Sequence, residues 1–179
     1  MQIKTLIAYS TVSQAGYFFL IFALANTAAT QAGWLLLFSH ALAKATLFLA
    51  AGNLVRYAQS GAIGALKGSA QALPMTLFGA LLAALSLAGL PPTGGFAGKW
   101  LLLQSALLEG QWLYAAVLII GSLLAMGYLI KLLSHTLGAP EQPAAAAVPK
   151  PLEWVVLIGG VLCVALGFGA AWVIAKAGL

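Results

Sequence analysis

Long apolar stretches constrain this chain more than any other feature of its sequence. A helix needs about 20 mainly apolar residues to cross the roughly 30 Å hydrocarbon core of a bilayer. Of the 179 residues, 63% are hydrophobic and only 6% are charged, whereas an ordinary soluble domain is roughly a quarter charged residues. The sequence therefore predicts an all-α integral membrane protein, with residues 1–179 forming a single membrane domain.

The boundaries of the apolar stretches give the predicted helices. Short polar or glycine-rich segments separate the stretches, and the polar run from residue 135 to residue 151 is typical of an exposed linker. The predicted helices cover residues 3–25, 32–55, 112–134 and 153–175, and a further stretch consists of the two segments 73–90 and 96–108.

The third stretch contains a segment that interrupts a helix. Pro91 and Pro92 lack amide donors, and Gly94 and Gly95 favour other backbone angles. The apolar run that follows, 96–108, is too short to span a bilayer alone but is long enough for half a helix. The two segments are therefore either two separate crossings or two halves of one discontinuous helix.

The distribution of basic residues favours one discontinuous helix. Lysine and arginine near helix ends accumulate on the cytoplasmic side of a membrane. With a single broken crossing only Lys176 lies on the opposite side from the other terminal basic residues, which are Lys4, Arg56, Lys67, Lys131 and Lys150. We therefore predict five crossings in a bacterial-type plasma membrane, with a cytoplasmic amino terminus. The basic residues are scattered singly, which argues against nucleic-acid binding.

Two ionisable residues lie near the middle of the second stretch. His40 and Lys44 are four residues apart and so share one face of a helix. An ionisable side chain at bilayer depth costs about 2.5–3.5 kcal/mol on insertion scales, so it faces protein or water. Burial disfavours the ammonium form, and histidine changes charge near neutral pH, so this pair can relay protons. The alternative is structural, with Lys44 paired to a carboxylate on a partner helix and His40 packed in the bundle.

Lys99 follows the predicted break by one helical turn. Discontinuous helices in transporters place ion-binding groups at such ends. The negative end of the preceding half-helix favours an ammonium ion, and the positive end of the following half disfavours it. We expect Lys99 to be a proton site that responds to small movements of the break. The alternative is that Pro91 and Pro92 only turn a hairpin and Lys99 lies at a membrane surface.

Other polar side chains carry weaker signals. Ser10, Gln14 and Tyr17 form one stripe on the first helix, which fits a polar path but fits interhelical hydrogen bonding better. Cys163 is the only cysteine, and no histidine or carboxylate stands at ligand spacing. The sequence therefore predicts no bound metal and no cofactor.

Three segments match sequence patterns of one known family. Ile3–Tyr17 (IKTLIAYSTVSQAGY) resembles the pattern IKRLLAYSTVSQxGY, and His40–Asn53 (HALAKATLFLAAGN) resembles HALFKALLFLAAGN. Ser86–Leu103 (SLAGLPPTGGFAGKWLLL) resembles SxxGLPPxxGFxxKWLL. These patterns belong to the antiporter-like subunits shared by respiratory complex I, membrane-bound hydrogenases and Mrp-type cation/proton antiporters.

The resemblance implies roles for individual residues. It places Lys44, His40 and Lys99 on a chain of buried protonatable groups, with Lys99 serving the exit to the outer face. It covers only the carboxyl-terminal helices of the family, so the chain is expected to be a fragment or one product of a split subunit. The implied partners are other membrane subunits of a complex I-like, hydrogenase-like or Mrp-like assembly, including the missing amino-terminal helices.

The sequence supports one main functional hypothesis and one rival. The main hypothesis is a proton-translocating membrane subunit, or part of one, with a relay of His40, Lys44 and Lys99 and no catalytic chemistry of its own. Exchange of sodium for protons, and the enzymatic activity of the whole complex, are left open. The rival is a structural scaffold subunit whose lysines form fixed ion pairs. A third hypothesis, a quinone-reactive enzyme, has little support, because the sequence contains no convincing headgroup site and no redox motif.

Overall fold

A computed structural model describes residues 2–138 and 147–176, and this part of the chain is helical without a β-strand. The prediction of an all-α membrane protein is confirmed. Four of the described helices are long and apolar enough to cross a membrane, and a fifth is apolar but shorter. The helices are α1 (Ile3–Leu24), α2 (Thr27–Ala58), α3 (Ser69–Ala72), α4 (Pro74–Ala88), α5 (Gly94–Leu108), α6 (Trp112–Ser134), α7 (Lys150–Phe168) and α8 (Ala170–Lys176).

Helix α2 is longer than the predicted 32–55 and spans 32 residues. It begins earlier because the Asn26 side chain accepts a hydrogen bond from the amide of Ala29 at 2.7 Å, which caps the free amides of the first turn. It ends at Ala58, because the next residue, Gln59, has a φ of 50°, in the left-handed region. At 1.5 Å per residue, α2 is about 48 Å long, so the other helices pack along it.

The predicted break lies between α4 and α5. Gly89 ends α4 with a φ of 82°, a conformation that glycine adopts without steric cost. The Thr93 hydroxyl accepts a hydrogen bond from the Phe96 amide at 3.4 Å and begins α5. The expectation that Gly94 and Gly95 lie outside a helix is wrong, because both belong to α5. Gly95 is needed there because a Cβ atom would overlap the carbonyl oxygen of Ser86.

Helices α4 and α5 run end to end along α2, which identifies them as two halves of one pass. Three contacts follow one another from the end of α2 towards its start. The first is the hydrogen bond from Asn53 to Thr76 of α4, at 3.1 Å. Ser39 hydrogen-bonds Ser86, near the end of α4, at 2.8 Å. Further along, Asn26, the cap of α2, hydrogen-bonds Ser105 of α5 at 2.8 Å. Both half-helices are therefore antiparallel to α2, and the hairpin alternative is excluded.

The last predicted helix, 153–175, is divided in the structure. Helix α7 begins three residues earlier, at Lys150, and α8 follows after Gly169. The predicted linker over 135–151 is described only at its two ends, and residues 139–146 lie outside the described residues. Within the described ranges the chain makes five passes through the bundle: α1, α2, α4 with α5, α6, and α7 with α8.

One end of the bundle collects basic side chains. The amide of Ile3 donates to the carbonyl of Gly61 at 2.9 Å, and the amide of Ala70 donates to the carbonyl of Thr136 at 3.2 Å. These contacts bring the chain start, the loop before α4 and the end of α6 together, and we call this the basic end. Its basic residues are Lys4, Arg56, Lys67, Lys131 and Lys150. At the opposite end, the far end, the charged side chain of the described part is Glu109.

Helices α4 and α7 pack with their backbones in close contact. A Cβ atom at Gly79 would lie 2.7 Å from the carbonyl carbon of Val156, and one at Gly160 would lie 2.8 Å from the Cα atom of Gly79. Backbone atoms cannot move aside as the end of a flexible side chain can. Small residues at this interface therefore determine how near α7 comes to α4, which is common for helices packed in membranes.

The close packing of α4 and α7 predicts the effect of adding one methyl group. Gly79→Ala should lower the free energy of unfolding in detergent by about 1–3 kcal/mol, because the extra atom forces the two helices apart. Gly52→Ala is the matched control, since nothing lies within 4 Å of a Cβ atom there. It should be neutral or stabilising by up to about 1 kcal/mol through helix propensity. Equal stability of the two variants would contradict this account of the interface.

Candidate functional site

Lys99 is buried at the break between the two half-helices, with 7% of its surface exposed. Its Nζ atom donates hydrogen bonds to the carbonyl oxygens of Leu87, at 2.9 Å, and Ala88, at 3.0 Å. These are the last carbonyls of α4 and form the negative end of that helix. The side chain therefore reaches back from the first turn of α5 and holds the two half-helices together. The alternative that Lys99 lies at a membrane surface does not hold.

An aromatic ring covers another side of the Lys99 ammonium. The Nζ atom lies 5.0 Å from the ring centroid of Tyr17 on α1, within the range of a cation–π interaction. The Tyr17 hydroxyl is buried and has no hydrogen-bond partner among the described residues. It points at Gly121 of α6, where a Cβ atom would lie 2.5 Å from it. Tyr17 thus connects the break in α4 and α5 with α1 and α6.

His40 is influenced by both intramembrane lysines. Both of its ring nitrogens are buried, and neither has a hydrogen-bond partner in the described protein. The positive charges of Lys44 and Lys99 both act on the imidazole. A buried imidazole without a fixed partner is free to accept or donate a proton at either nitrogen. We call Tyr17, His40 and Lys99 the interior cluster.

Lys44 faces α1 and is only partly buried. Its Nζ atom donates to the carbonyl oxygen of Ile7 at 2.8 Å and to the Thr11 hydroxyl at 2.8 Å, and it lies 4.9 Å from the centre of the Phe48 ring. No carboxylate of the described residues is bound to it, so the structural alternative of a carboxylate pair would need a partner outside this part of the chain. Lys44 therefore lies at the margin of the interior cluster.

The polar stripe of α1, formed by Ser10, Gln14 and Tyr17, is buried. The Ser10 hydroxyl donates to the carbonyl of Ile7 at 2.8 Å, and Ser10 also interacts with the phenol of Tyr128 on α6. The Gln14 amide nitrogen is buried without a partner. Both the packing role and the polar-path role remain compatible with these contacts. Tyr128 belongs to this group and was not identified from the sequence.

A second polar stripe on α2 was missed in the sequence. Ser39, Thr46 and Asn53 are seven residues apart and are all buried, so they form one line along the helix. Ser39 bonds Ser86, whose hydroxyl also accepts from the Gly95 amide at 3.3 Å. This contact spans the break and leaves fewer free amides at the start of α5. The spacing of seven residues was the sequence signal for this stripe.

Glu153 is a buried carboxylate that sequence analysis passed over. It is 8% exposed and accepts from the amide of Thr76 at 3.4 Å and from the hydroxyl of Thr76 at 3.5 Å. Thr76 lies in the first turn of α4, and the residue before that helix provides no side-chain cap. A carboxylate is stabilised at the positive end of a helix. Glu153 therefore caps α4 from the neighbouring helix.

The interior cluster brings together groups that carry exchangeable protons. Within the described residues no group of three histidine, cysteine, aspartate or glutamate side chains could hold a metal ion. An ammonium held by carbonyl oxygens, an imidazole with free nitrogens and a phenol all carry exchangeable protons. The break provides a joint at which the ammonium can gain or lose its partners. This arrangement matches the intramembrane ion sites of discontinuous helices.

The chain resembles known membrane proteins in sequence. Residues 1–125 match the protein-family model described as NADH:quinone oxidoreductase/Mrp antiporter, TM. The matched range contains every residue of the interior cluster as well as Lys44. The chain is 37% identical over 148 residues to NADH-quinone oxidoreductase subunit N of Desulforudis audaxviator, which covers 82% of this chain and 30% of that relative.

Solved structures show the same arrangement of helices. A chain of respiratory complex I from Thermus thermophilus with bound NADH aligns with a TM-score of 0.83 and 26% identity, over 96% of this chain and 36% of that one. A chain of the Mrp complex from Dietzia sp. aligns with a TM-score of 0.78 and 27% identity, over 94% of this chain and 40% of that one. The chain thus spans less than half the length of each of these three proteins.

Proposed function

Because the chain belongs to the NADH:quinone oxidoreductase/Mrp antiporter transmembrane family, we propose that it provides five helical passes of a proton-translocating membrane subunit. The observation that carries the proposal is the capture of the Lys99 ammonium by the last carbonyls of α4. A lysine with these partners is held at the break while it is charged. When it loses its proton, the attraction to the carbonyls weakens and the break can move.

Protons would reach Lys99 through the interior cluster. The charges of Lys44 and Lys99 both act on His40, and its two ring nitrogens can take up a proton on one side and release it on the other. Lys44, which is open to the neighbouring face of the bundle, is the group through which protons arrive from adjoining helices. Lys99 then releases them towards the far end, where Asn26 contacts Ser105 and Glu109.

The partly exposed position of Lys44 supports the existence of further membrane partners. An ammonium within a spanning helix is costly when it faces lipid. Within the described residues, the Lys44 ammonium donates hydrogen bonds only to groups of α1. We propose that other helices of the same subunit, or of neighbouring membrane subunits, cover this face. The complex I and Mrp complexes, each of which contains a chain that this one resembles, are assemblies of this kind. Transport of protons is the primary activity, and coupling to sodium depends on the rest of the assembly.

The charge of the two ends of the bundle supports one orientation in the membrane. The basic end carries five basic side chains, and such residues accumulate on the cytoplasmic side. We propose that the chain lies in a bacterial-type plasma membrane with its amino terminus and the segment between α6 and α7 in the cytoplasm. The side chain of Lys176, the basic residue expected opposite, lies outside the described part.

Labelling of single cysteines tests this orientation. In a Cys163→Ala background, Ser60→Cys at the basic end should react with a membrane-impermeant reagent only after the cell membrane is opened. Gln111→Cys at the far end should react in intact cells, because Gln111 is exposed between α5 and α6. Labelling of both sites from one side would contradict the five-pass arrangement, and reversal of the two sites would contradict the orientation.

Three substitutions of Lys99 test the relay. Lys99→Leu should abolish proton translocation by the complete assembly, and Lys99→Arg should also fail because guanidinium does not release its proton. Lys99→Glu should retain part of the flux, since a buried carboxyl group can exchange protons near neutral pH. Lys4→Leu, at an exposed basic residue, is the control and should transport normally. Proton flux is measured at equal levels of assembly.

The scaffold hypothesis predicts a different result for the same variants. A fixed ion pair tolerates arginine and is disrupted by glutamate or leucine, and its loss reduces assembly instead of flux. Full pumping by Lys99→Arg would overturn the relay assignment of this residue. Loss of assembly in Lys44→Leu and Lys99→Leu, with normal transport by the remaining complex, would favour the scaffold.

The short length of the chain relative to its relatives predicts that it does not pump alone. Half of a relay gives no complete route between the two aqueous phases. Reconstituted by itself in vesicles, the purified chain should take up no more protons than empty vesicles under an imposed pH gradient or membrane potential. Substantial uptake by the wild-type chain that Lys99→Leu abolishes would show that these five passes are sufficient.

A further inference from the structure

Three cavities lie in series along the outside of α4 and α6. The first, of about 450 Å³, lies at the basic end between the start of α4 and the end of α6. The second, of about 50 Å³, shares Leu81, Ile130 and Leu133 with the first. The third, of about 260 Å³, shares Ala88, Leu90 and Met126 with the second and extends to Lys99. Through these shared residues they form one elongated groove, the α4–α6 groove, which runs from the basic end of the bundle to the helix break.

The walls of this groove are apolar and open to the outside of the bundle. Phe78, Leu81 and Ile130 line it and are 53%, 40% and 54% exposed. Polar lining groups are found near its ends, with Ser134 and Thr136 at the basic end and Ser122 and Lys99 at the break. The Lys99 ammonium is engaged by the carbonyls of α4, while the aliphatic part of its side chain lies against Gly89. The inner end of the groove is therefore suited to hydrocarbon.

The mouth of the groove is positively charged. Lys131 is exposed in the last turn of α6, about one turn before the lining residue Ser134. The ring of His135 lies against the end of α6, where its Nδ1 atom is 2.6 Å from the carbonyl oxygen of Lys131. Within the described residues, the acidic side chain of this end is Glu153, which is buried on α7 and caps α4. Helix α4 separates α7 from α6, so this carboxylate does not neutralise the mouth.

The volume and lining of the middle cavity indicate what can occupy the groove. A helix with its side chains is about 10–12 Å in diameter, and a cavity of about 50 Å³ has no room for it. The lining of this cavity is apolar, which suits a hydrocarbon chain. An anionic head with a long apolar chain matches the charged mouth, the narrow middle and the apolar inner end.

We infer that the α4–α6 groove binds an anionic phospholipid, with its head at Lys131 and Ser134 and one acyl chain extending towards the break at Gly89. Basic sites between membrane helices on the cytoplasmic side bind such headgroups. The bound chain lies beside the α4 half that holds Lys99 and keeps water from the bilayer side of that residue. The lipid is thus a structural part of the break and does not depend on the proton relay.

Native mass spectrometry of the purified full chain tests the inference directly. The chain in detergent is mixed with equal amounts of phosphatidylglycerol and phosphatidylcholine that carry the same acyl chains. Phosphatidylglycerol should be the retained lipid, and Lys131→Gln should lower its advantage about fivefold, the effect expected for one basic residue near the surface. Lys150→Gln, which removes the same charge from α7 at the same end, should leave the ratio unchanged.

A second pair of variants tests the path of the acyl chain. Leu81→Trp should obstruct the junction of the first two cavities and reduce retention of both lipids, and Ser134→Trp should do the same at the mouth. Leu162→Trp is the control, because Leu162 is 48% exposed on α7 and does not line the groove. Circular dichroism verifies that each variant is folded. Equal retention of the two lipids by the wild type would overturn the inference, as would equal losses in Leu81→Trp and Leu162→Trp. Binding is measured without transport, so failure of the proton relay would not affect this result.

Discussion

The hydrogen bonds from Lys99 to the last carbonyls of α4 are the interaction on which the candidate site depends. Two half-helices meet within the bundle, and each leaves unpaired backbone groups that bilayer lipid cannot satisfy. The ammonium satisfies two carbonyls of the first half, at Leu87 and Ala88, and the Ser86 hydroxyl accepts from Gly95 at the start of the second half. The break is therefore stabilised by the residue proposed to carry the proton. A change in the charge of Lys99 necessarily changes the forces that hold the two halves together.

Helix α2 provides the frame against which this break is positioned. Its line of Ser39, Thr46 and Asn53 faces α4 and α7, while His40 and Lys44 face α1 and the interior cluster. One helix therefore separates a face with fixed interhelical hydrogen bonds from a face with exchangeable protons. Asn53 and Glu153 hold the start of α4 at the basic end, and Ser39 holds its end at the break. Asn26 likewise holds α5 to the start of α2 through Ser105, so both half-helices are fixed to α2 and the Lys99 side chain is the group that joins them at the break.

The structure also explains why some predictions from the sequence were incomplete. The break was located correctly from its prolines and glycines, because proline removes an amide donor wherever it stands in a helix. Gly94 and Gly95 were wrongly placed outside the helix, because their role is to permit close approach to Ser86 and α7, which depends on distant segments. Glu153 was overlooked for the same reason. A lone glutamate at a helix start resembles a solvated residue until the start of α4 is seen to lie against it.

The sequence by itself determined the membrane class, the apolar passes, the position of the break and the identity of the ionisable residues. These properties follow from local chemistry, namely hydropathy over about 20 residues, proline and glycine geometry, and the cost of burying charge. The distribution of basic residues favoured one discontinuous pass, and the structure confirmed it. Only the tertiary structure decided that Lys99 turns back to α4, that Lys44 lies at an edge and that both lysines act on His40. These facts depend on which distant helices come into contact. Side-chain spacing along a helix gives the face on which a residue lies, but packing alone gives the partner that the face meets.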